Sequence, residues 1–146
     1  MLLAVACDHA GYELKNKLIK YLTEEGHDCR DFGSFSDESC DYPVFADQVC
    51  TAVLSGEIKY GILICGTGIG MAITANKIPG IRAALCSDSF SAEMSRRHND
   101  ANVLALGARV IGSGIAIKIV ELFLNTGFDG GRHSRRVDMM NALDKR

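Results

Sequence analysis

The sequence has no apolar run approaching the ~18 residues that a membrane-spanning helix needs. It also has no excess of basic residues, since 16 Lys and Arg stand against 18 Asp and Glu in 146 residues. This balance argues against a general nucleic-acid binder or a membrane-surface protein. The opening residues, MLLAVAC, lack the basic start and the cleavage site that are typical of a signal peptide. We therefore expect a cytoplasmic protein.

Cysteine pairs of the C-x-x-C type are also absent, although the chain has six cysteines. The cysteines are scattered, and they do not cluster with histidines at the spacing of a zinc site. In a cytoplasmic protein such residues are mostly small buried hydrophobic side chains. We therefore expect no disulfide framework and no metal site. The six positions are Cys7, Cys29, Cys40, Cys50, Cys65 and Cys86.

Apolar runs and amphipathic stretches alternate along the chain, with no internal repeat and no low-complexity tract. This pattern predicts one domain over residues 1–146 with a three-layer α/β/α Rossmann-like fold and a five-stranded parallel sheet. The order of the fourth and fifth strands stays open. The predicted strands are 2–7, 27–32, 61–65, 81–86 and 102–106, and the predicted helices are 11–25, 43–55, 71–77, 88–97, 113–126 and 131–143.

The stretch Tyr60–Lys77 combines a buried strand, a glycine-rich loop and a helix-forming segment. Backbone N–H groups of such a loop and of the first helical turn point into one concavity that favours an anion. Cys65 is the last residue of the strand, and Thr67 lies within the loop. Because a helix N-terminus favours the thiolate form, Cys65 is a candidate base for removing a proton from carbon. The alternatives are a buried structural cysteine and a tight strand-to-helix turn.

The loop lacks the features of three common phosphate-binding motifs. Its glycines are spaced G-x-G-x-G, because position 71 is Met, and Cys86 stands where a dinucleotide-binding fold has an acid. No G-K-[ST] follows, so the loop is not a P-loop. A cysteine phosphatase needs an Arg at the far end of its loop, where this chain has Met71.

Polar residues also follow other predicted strands. Asp8 and His9 follow the first strand, and Arg109 follows the fifth. In a parallel sheet these strand ends form one ligand-binding edge. His98 and Asn99 lie near the end of a predicted helix. A helix cap or a solvated helix end is the alternative interpretation of these side chains.

The C-terminal helix, about 131–143, carries two arginines and an apolar stripe. Arg132 and Arg136 are four residues apart and share one helical face, which suits a phosphate or a carboxylate. The alternative is a solvated basic C-terminus. The stripe formed by Val137, Met140 and Leu143 needs a surface to pack on, and a second subunit is one candidate.

Five short motifs follow one another along the chain: ACDHAG at 6–11, CGTGIG at 65–70, RHNDANV at 97–103, GAR at 107–109 and GGRHSRRV at 130–137. Together they resemble the ribose-5-phosphate isomerase B family, which includes galactose- and allose-phosphate isomerases. The resemblance extends over essentially the whole chain. In one branch of the family a Glu directly after the last loop glycine is the base. Met71 stands there in this sequence, so the chain is similar to the cysteine branch.

The resemblance implies an aldose–ketose isomerase that interconverts D-ribose 5-phosphate and D-ribulose 5-phosphate through an enediolate, in the non-oxidative branch of the pentose phosphate pathway. Cys65 would move the proton between C2 and C1, and Thr67 would shuttle a proton between O1 and O2. His98 would be the acid that opens the furanose ring, with Asp8 assisting. The enediolate would be held by the amides of Gly66, Thr67, Gly68, Ile69 and Gly70.

The resemblance also implies which residues bind the rest of the substrate. Asp8, Tyr42 and Asn99 would contact the sugar hydroxyls, and the polar loop 33–42 would border the sugar. No metal or organic cofactor is implied. A homodimer or homotetramer is implied, with sites at the subunit interface and the C-terminal helix packing on a partner. The phosphate would be held by His9, Arg109, Arg132 and Arg136.

Two alternatives remain beside this main hypothesis. The first is a galactose- or allose-6-phosphate isomerase of the same family. The second is a protein that binds a phosphosugar without converting it. Solvent-deuterium exchange at C1 or C2 of the sugar separates catalysis from binding alone.

Overall fold

The computed structural model describes residues 1–145. Five parallel strands form one sheet in the order β2-β1-β3-β5-β4. The predicted α/β fold is therefore confirmed, and β5 lies between β3 and β4. The strands are β1 Leu2–Cys7, β2 Asp28–Asp31, β3 Tyr60–Cys65, β4 Ala83–Leu85 and β5 Val103–Gly107. The helices are α1 Tyr12–Glu24, α2 Tyr42–Leu54, α3 Ile69–Ala75, α4 Ser89–Asn99, α5 Ser113–Asn125 and α6 Arg132–Ala142, followed by a 3-10 turn at Leu143–Lys145.

The three central strands are buried on both faces. Successive side chains of a strand point to opposite faces, and each face meets its own layer of helices. Leu3 and Val5 of β1 pack in the layer of α1, α4 and α5, where Phe123 is fully buried. Ala4 and Ala6 pack in the layer of α2 and α3. This double burial explains why the central strands appear in the sequence as continuous apolar runs.

Helix ends differ from the prediction at three positions that concern the polar residues. Helix α3 begins at Ile69, so Ile69 and Gly70 are helical residues and not loop residues. Tyr42 is the first residue of α2, because the helix begins one residue before Pro43. Helix α4 extends to Asn99. His98 and Asn99 therefore lie within its last turn.

The last two helices also differ in detail. Gly112 is the N-cap of α5, and Ser113 is its first helical residue instead of its cap. Val137 of α6 is buried within the chain, whereas Met140 of α6 and Leu143 of the 3-10 turn are exposed. Only part of the predicted apolar stripe therefore packs against the rest of the same chain. Among the described helices, none combines the length and the apolar character that crossing a bilayer would require.

Candidate active site

The carboxyl ends of β1, β3 and β5 are tied together by backbone hydrogen bonds. Asp8 N–H donates to the Ile64 carbonyl at 3.0 Å, and Ala108 N–H donates to the Cys65 carbonyl at 2.8 Å. Arg109 N–H donates to the Gly66 carbonyl at 2.9 Å. These bonds continue the sheet beyond its strands. They hold the polar residues of three segments at one edge.

The Cys65 side chain lies at the centre of this edge and is only 5 % exposed. The Gly68 N–H donates to Cys65 Sγ at 3.0 Å. Gly68 has a φ of 79°, in the left-handed region that favours glycine. A donor aimed at the sulfur suits a thiolate, because hydrogen bonds to a charged acceptor are the stronger ones. The loop thus closes around the sulfur atom.

Close packing keeps this loop in place. A Cβ on Gly107 would come within 2.6 Å of the Thr67 carbonyl oxygen. The loop therefore lies directly on the end of β5. Thr67 itself is exposed, and its hydroxyl accepts a hydrogen bond from Ile69 N–H at 3.2 Å.

Three further predicted residues lie at the same edge. The Asp8 side chain is buried, and its carboxylate accepts a hydrogen bond from Gly11 N–H at 3.1 Å. Next to it, His9 has a buried Nδ1 with no hydrogen-bond partner among the described residues. The Tyr42 ring packs against Gly70, where a Cβ would meet its Cζ at 2.6 Å.

Arg109 completes the edge. Its Nη1 lies 3.5 Å from the position that a Cβ would take on Gly66. The structure therefore brings together the following predicted residues: Asp8, His9, Tyr42, Cys65, Gly66, Thr67, Gly68, Ile69, Gly70 and Arg109.

The remaining predicted residues lie at the opposite end of the molecule. Helix α4 starts beyond the carboxyl end of β4 and ends before the start of β5, so it runs back along the sheet. Gly61 pairs with Val103 at one end of the central strands, and Cys65 pairs with Gly107 at the other. These two levels are four residues apart, or roughly 13 Å at the rise of a strand. Within one chain, the groups separated from Cys65 are His98, Asn99, Arg132 and Arg136.

His98 stacks on His133 of α6. The two ring centroids are 4.2 Å apart, and the ring planes differ by 8°. Burial lowers the pKa of His133, and the charges of His98 and the two neighbouring arginines of α6 lower it further, while Asp129 opposes them. His133 is therefore neutral at pH 7. Sequence reasoning gave this histidine no role, because nothing local relates residue 98 to residue 133.

His98, Asp129 and His133 place polar atoms within 4.8 Å of one another, which is compatible with metal binding by distance alone. However, the lone pair of an imidazole nitrogen lies in the plane of its ring. Two nearly parallel stacked rings cannot direct both lone pairs at one ion. Asp129 is also engaged, because Arg97 Nε donates to its carboxylate at 3.1 Å. The arrangement does not fit a metal.

The fold and this edge define an α/β protein that binds a small polar ligand beyond the carboxyl ends of its strands. The chain matches the model of the Ribose/Galactose Isomerase family over residues 3–140. The ribose-5-phosphate isomerase B of Escherichia coli is 49 % identical over 144 residues, with 99 % of this chain and 97 % of that protein covered. The chain therefore belongs to the ribose/galactose isomerase family.

Solved structures are similar over their full length. Ribose-5-phosphate isomerase B of Clostridium thermocellum superposes with a TM-score of 0.98 at 50 % identity, covering 99 % of this chain and 98 % of that one. The Mycoplasma genitalium ribose-5-phosphate isomerase B with bound ribulose 5-phosphate has a TM-score of 0.94 at 39 % identity, covering 99 % and 97 %. These values confirm the predicted family and fold.

Proposed function

We propose that the protein is an aldose–ketose isomerase that interconverts D-ribose 5-phosphate and D-ribulose 5-phosphate. The observation that carries this proposal is the Cys65 sulfur held by the Gly68 amide inside a loop of donors. Relatives named ribose-5-phosphate isomerase B, one of them with bound ribulose 5-phosphate, support the choice of sugar. We further infer a single-domain cytoplasmic enzyme that needs no metal or organic cofactor.

The isomerisation moves one proton between two carbons. Cys65, as the thiolate, removes the proton from C2 of the open-chain aldose and returns it to C1. Between these steps the negative charge lies on oxygen, and the amides of residues 66–70 surround it. In the free protein, Gly68 N–H donates to Cys65 Sγ and Ile69 N–H to the Thr67 hydroxyl, so these two amides must turn from those partners to reach the enediolate. One donor of this kind is typically worth ~10²–10³ in rate. Thr67 passes the hydroxyl proton between O1 and O2.

Ring opening precedes this step for the aldose. His98 donates a proton to the ring oxygen as the bond from C1 to that oxygen breaks, and Asp8 takes the proton of the O1 hydroxyl. The open-chain aldehyde results. Tyr42 and Asn99 bind sugar hydroxyls beside Asp8. The phosphate is bound by His9, Arg109, Arg132 and Arg136, which anchor the substrate remote from the reacting carbons.

A second copy of the chain completes the site in this proposal. Cys65 and His98 cannot meet within one chain, because the length of the central strands separates them. Exposed apolar side chains adjoin the loop, with Ile69 and Ile73 both more than half exposed on α3. Such a face is typical of a subunit interface. We therefore propose a homodimer, or a homotetramer built from it, in which α4 and α6 of one copy face the Cys65 loop of the other.

The test follows ketose formation from ribose 5-phosphate in EDTA. Cys65→Ala should abolish turnover, while ribose 5-phosphate still raises the melting temperature of the variant. Cys29→Ala is the matched control, because that thiol lies on the edge strand β2, and it should keep wild-type activity. Full activity of Cys65→Ala would remove this residue from the role of base.

The same assay with galactose 6-phosphate and allose 6-phosphate examines the hexose alternative. A higher kcat/KM for either hexose would reassign the sugar while leaving the isomerase class in place. Deuterium exchange at C1 of ribulose 5-phosphate in D₂O examines the non-catalytic alternative. Binding without exchange would assign the protein to phosphosugar binding alone.

A further inference from the structure

His133 lies between two groups that the proposed function uses, but it has no role in that function. Its ring stacks face to face on His98, and Arg132 is its neighbour in the chain. The ring is almost completely buried. A buried histidine packed on a proposed catalytic acid is a candidate for controlling that acid.

The backbone before α6 fixes the position of this ring. Asp129 N–H donates to the Arg97 carbonyl at 3.0 Å, and the Asp129 carboxylate accepts from Arg97 Nε at 3.1 and 3.2 Å. His133 N–H then donates to the Gly130 carbonyl at 3.0 Å. The start of α6 is thus tied to the last turn of α4. This connection sets the spacing of the two imidazoles.

Electrostatics concerns the His133 ring of this pair. Two parallel imidazolium rings 4.2 Å apart would repel each other. The charged groups near the pair are Arg97 of α4, Asp129 before α6, and Arg132 and Arg136 of α6. Burial and the two α6 arginines disfavour a charge on His133. A neutral His133 ring can hold the His98 ring by face-to-face contact without charge repulsion.

From this geometry we propose that His133 is a positioning residue, which orients the His98 imidazole for donating its proton to the ring oxygen of the substrate. The inference rests on the proposed function, since it concerns the ring-opening step. It concerns that step alone, because Cys65 performs the later proton transfer. Ribulose 5-phosphate cannot close a furanose ring, since its C5 oxygen carries the phosphate. Its exchange at C1 therefore does not depend on ring opening.

The experiment compares His133→Ala and His133→Phe with the wild type in two assays. In His133→Ala, kcat for ribose 5-phosphate should fall on the order of 10²-fold, the effect of a misplaced catalytic group, with KM changed by less than about threefold. Deuterium exchange at C1 of ribulose 5-phosphate should stay within about threefold of wild type. His133→Phe keeps a flat ring against His98 and should recover most of the loss in kcat. His27→Ala, on a histidine between α1 and β2, is the matched control and should change neither assay.

A double variant separates positioning from general damage. In a His98→Ala background, His133→Ala should cause no further loss, because a residue that acts through His98 has nothing left to orient. Additive losses would overturn the proposal, as would wild-type turnover in His133→Ala or an equal loss of turnover and exchange. A wild-type protein with neither turnover nor exchange would instead overturn the proposed function itself.

Discussion

At the scale of single residues, the central feature of this site is the hydrogen bond from the Gly68 N–H to the Cys65 sulfur. Gly68 can make it only because its backbone adopts a positive φ. A Cβ at this position would clash with Leu85 Cδ1 and would come within 2.9 Å of the Leu106 carbonyl carbon. Leu85 can rotate away, but the backbone of β5 cannot. Glycine is therefore required here for two separate reasons.

Gly68→Ala should lower the free energy of unfolding by about 2–3 kcal/mol, because strain at positive φ adds to the clash with β5. It should also lower kcat on the order of 10²-fold, because the amide is displaced from the sulfur. Urea unfolding and steady-state kinetics measure the two effects. Gly114→Ala is the matched control, since a Cβ there meets nothing within 4 Å. Equal stability of the two variants would contradict the prediction.

Because of its buried thiols, the free energy of unfolding should vary with pH in the alkaline range. Burial raises the pKa of Cys50 from 9.0 to about 12. The unfolded chain therefore releases this proton at lower pH than the folded chain does. The contribution of the neutral thiol is complete below pH 9 and is lost as the pH rises toward 12.

Cys50→Ala should accordingly make the decline of the unfolding free energy between pH 9 and pH 11 shallower, by up to about 1 kcal/mol per pH unit. The measurement is urea unfolding at a series of pH values. Val49→Ala is the control, since it removes a neighbouring buried side chain of α2 without removing a titrating group. It should lower the whole curve without changing its slope, and an unchanged slope in Cys50→Ala would contradict the argument.

At the scale of elements, one buried lysine connects α1, β2 and the loop that leads to Tyr42. Lys15 Nζ donates to both carboxylate oxygens of Asp31, at 2.7 and 2.8 Å, and to the Ser34 carbonyl at 2.7 Å. All three of its donors are used, although the side chain is fully buried. Cys7 N–H donates to the Gly33 carbonyl within the same cluster. The loop is thereby fastened beside Asp8.

Lys15→Met should lower the free energy of unfolding by about 3 kcal/mol, because it leaves the Asp31 carboxylate without its buried partner. KM for ribose 5-phosphate should rise as the loop loosens. Chemical unfolding and kinetics measure both. Lys17→Met is the matched control: its pair with Glu13 is exposed and should contribute little to the free energy of unfolding. Similar losses in the two variants would argue against a fastening role.

For the whole molecule, the main consequence of the proposed function is that one chain would carry two half-sites at opposite ends. The Cys65 loop lies at the carboxyl ends of the strands, and the stacked histidines lie near their amino ends. In a dimer with two-fold symmetry each copy can supply the half that the other lacks. Activity is then a property of the pair of chains.

Mixing two inactive variants tests this arrangement. Cys65→Ala and His98→Ala homodimers, unfolded together and refolded, should give about one quarter of wild-type activity, since half of the dimers are mixed and each has one intact site. Size-exclusion chromatography with light scattering checks the dimer. Each variant refolded alone is the control and should stay well below the activity of the mixture. Absence of activity in a mixture that contains mixed dimers would place the whole site within one chain.

Much of the fold could be predicted because its elements have local causes. All five strands overlap the predicted ranges, although the edge strand β4 is shorter than predicted, at Ala83–Leu85. The start of α3 was wrong, because a glycine-rich segment resembles a loop even where its last residues are helical. The residues after β1, β3 and β5 do converge on one edge. The roles assigned to them stay predictions until the variants are measured.

The sequence alone determined the element types, the parallel sheet, the family and the candidate base Cys65, with Met71 standing where other relatives carry a Glu, because each depends on short local patterns of residues. Only the tertiary structure decided the strand order, the stacking of His98 on His133 and the separation of both from Cys65. These depend on which apolar faces pack together and on α4 running back along the sheet. Contacts of this kind form between residues far apart in sequence, where no local pattern records them.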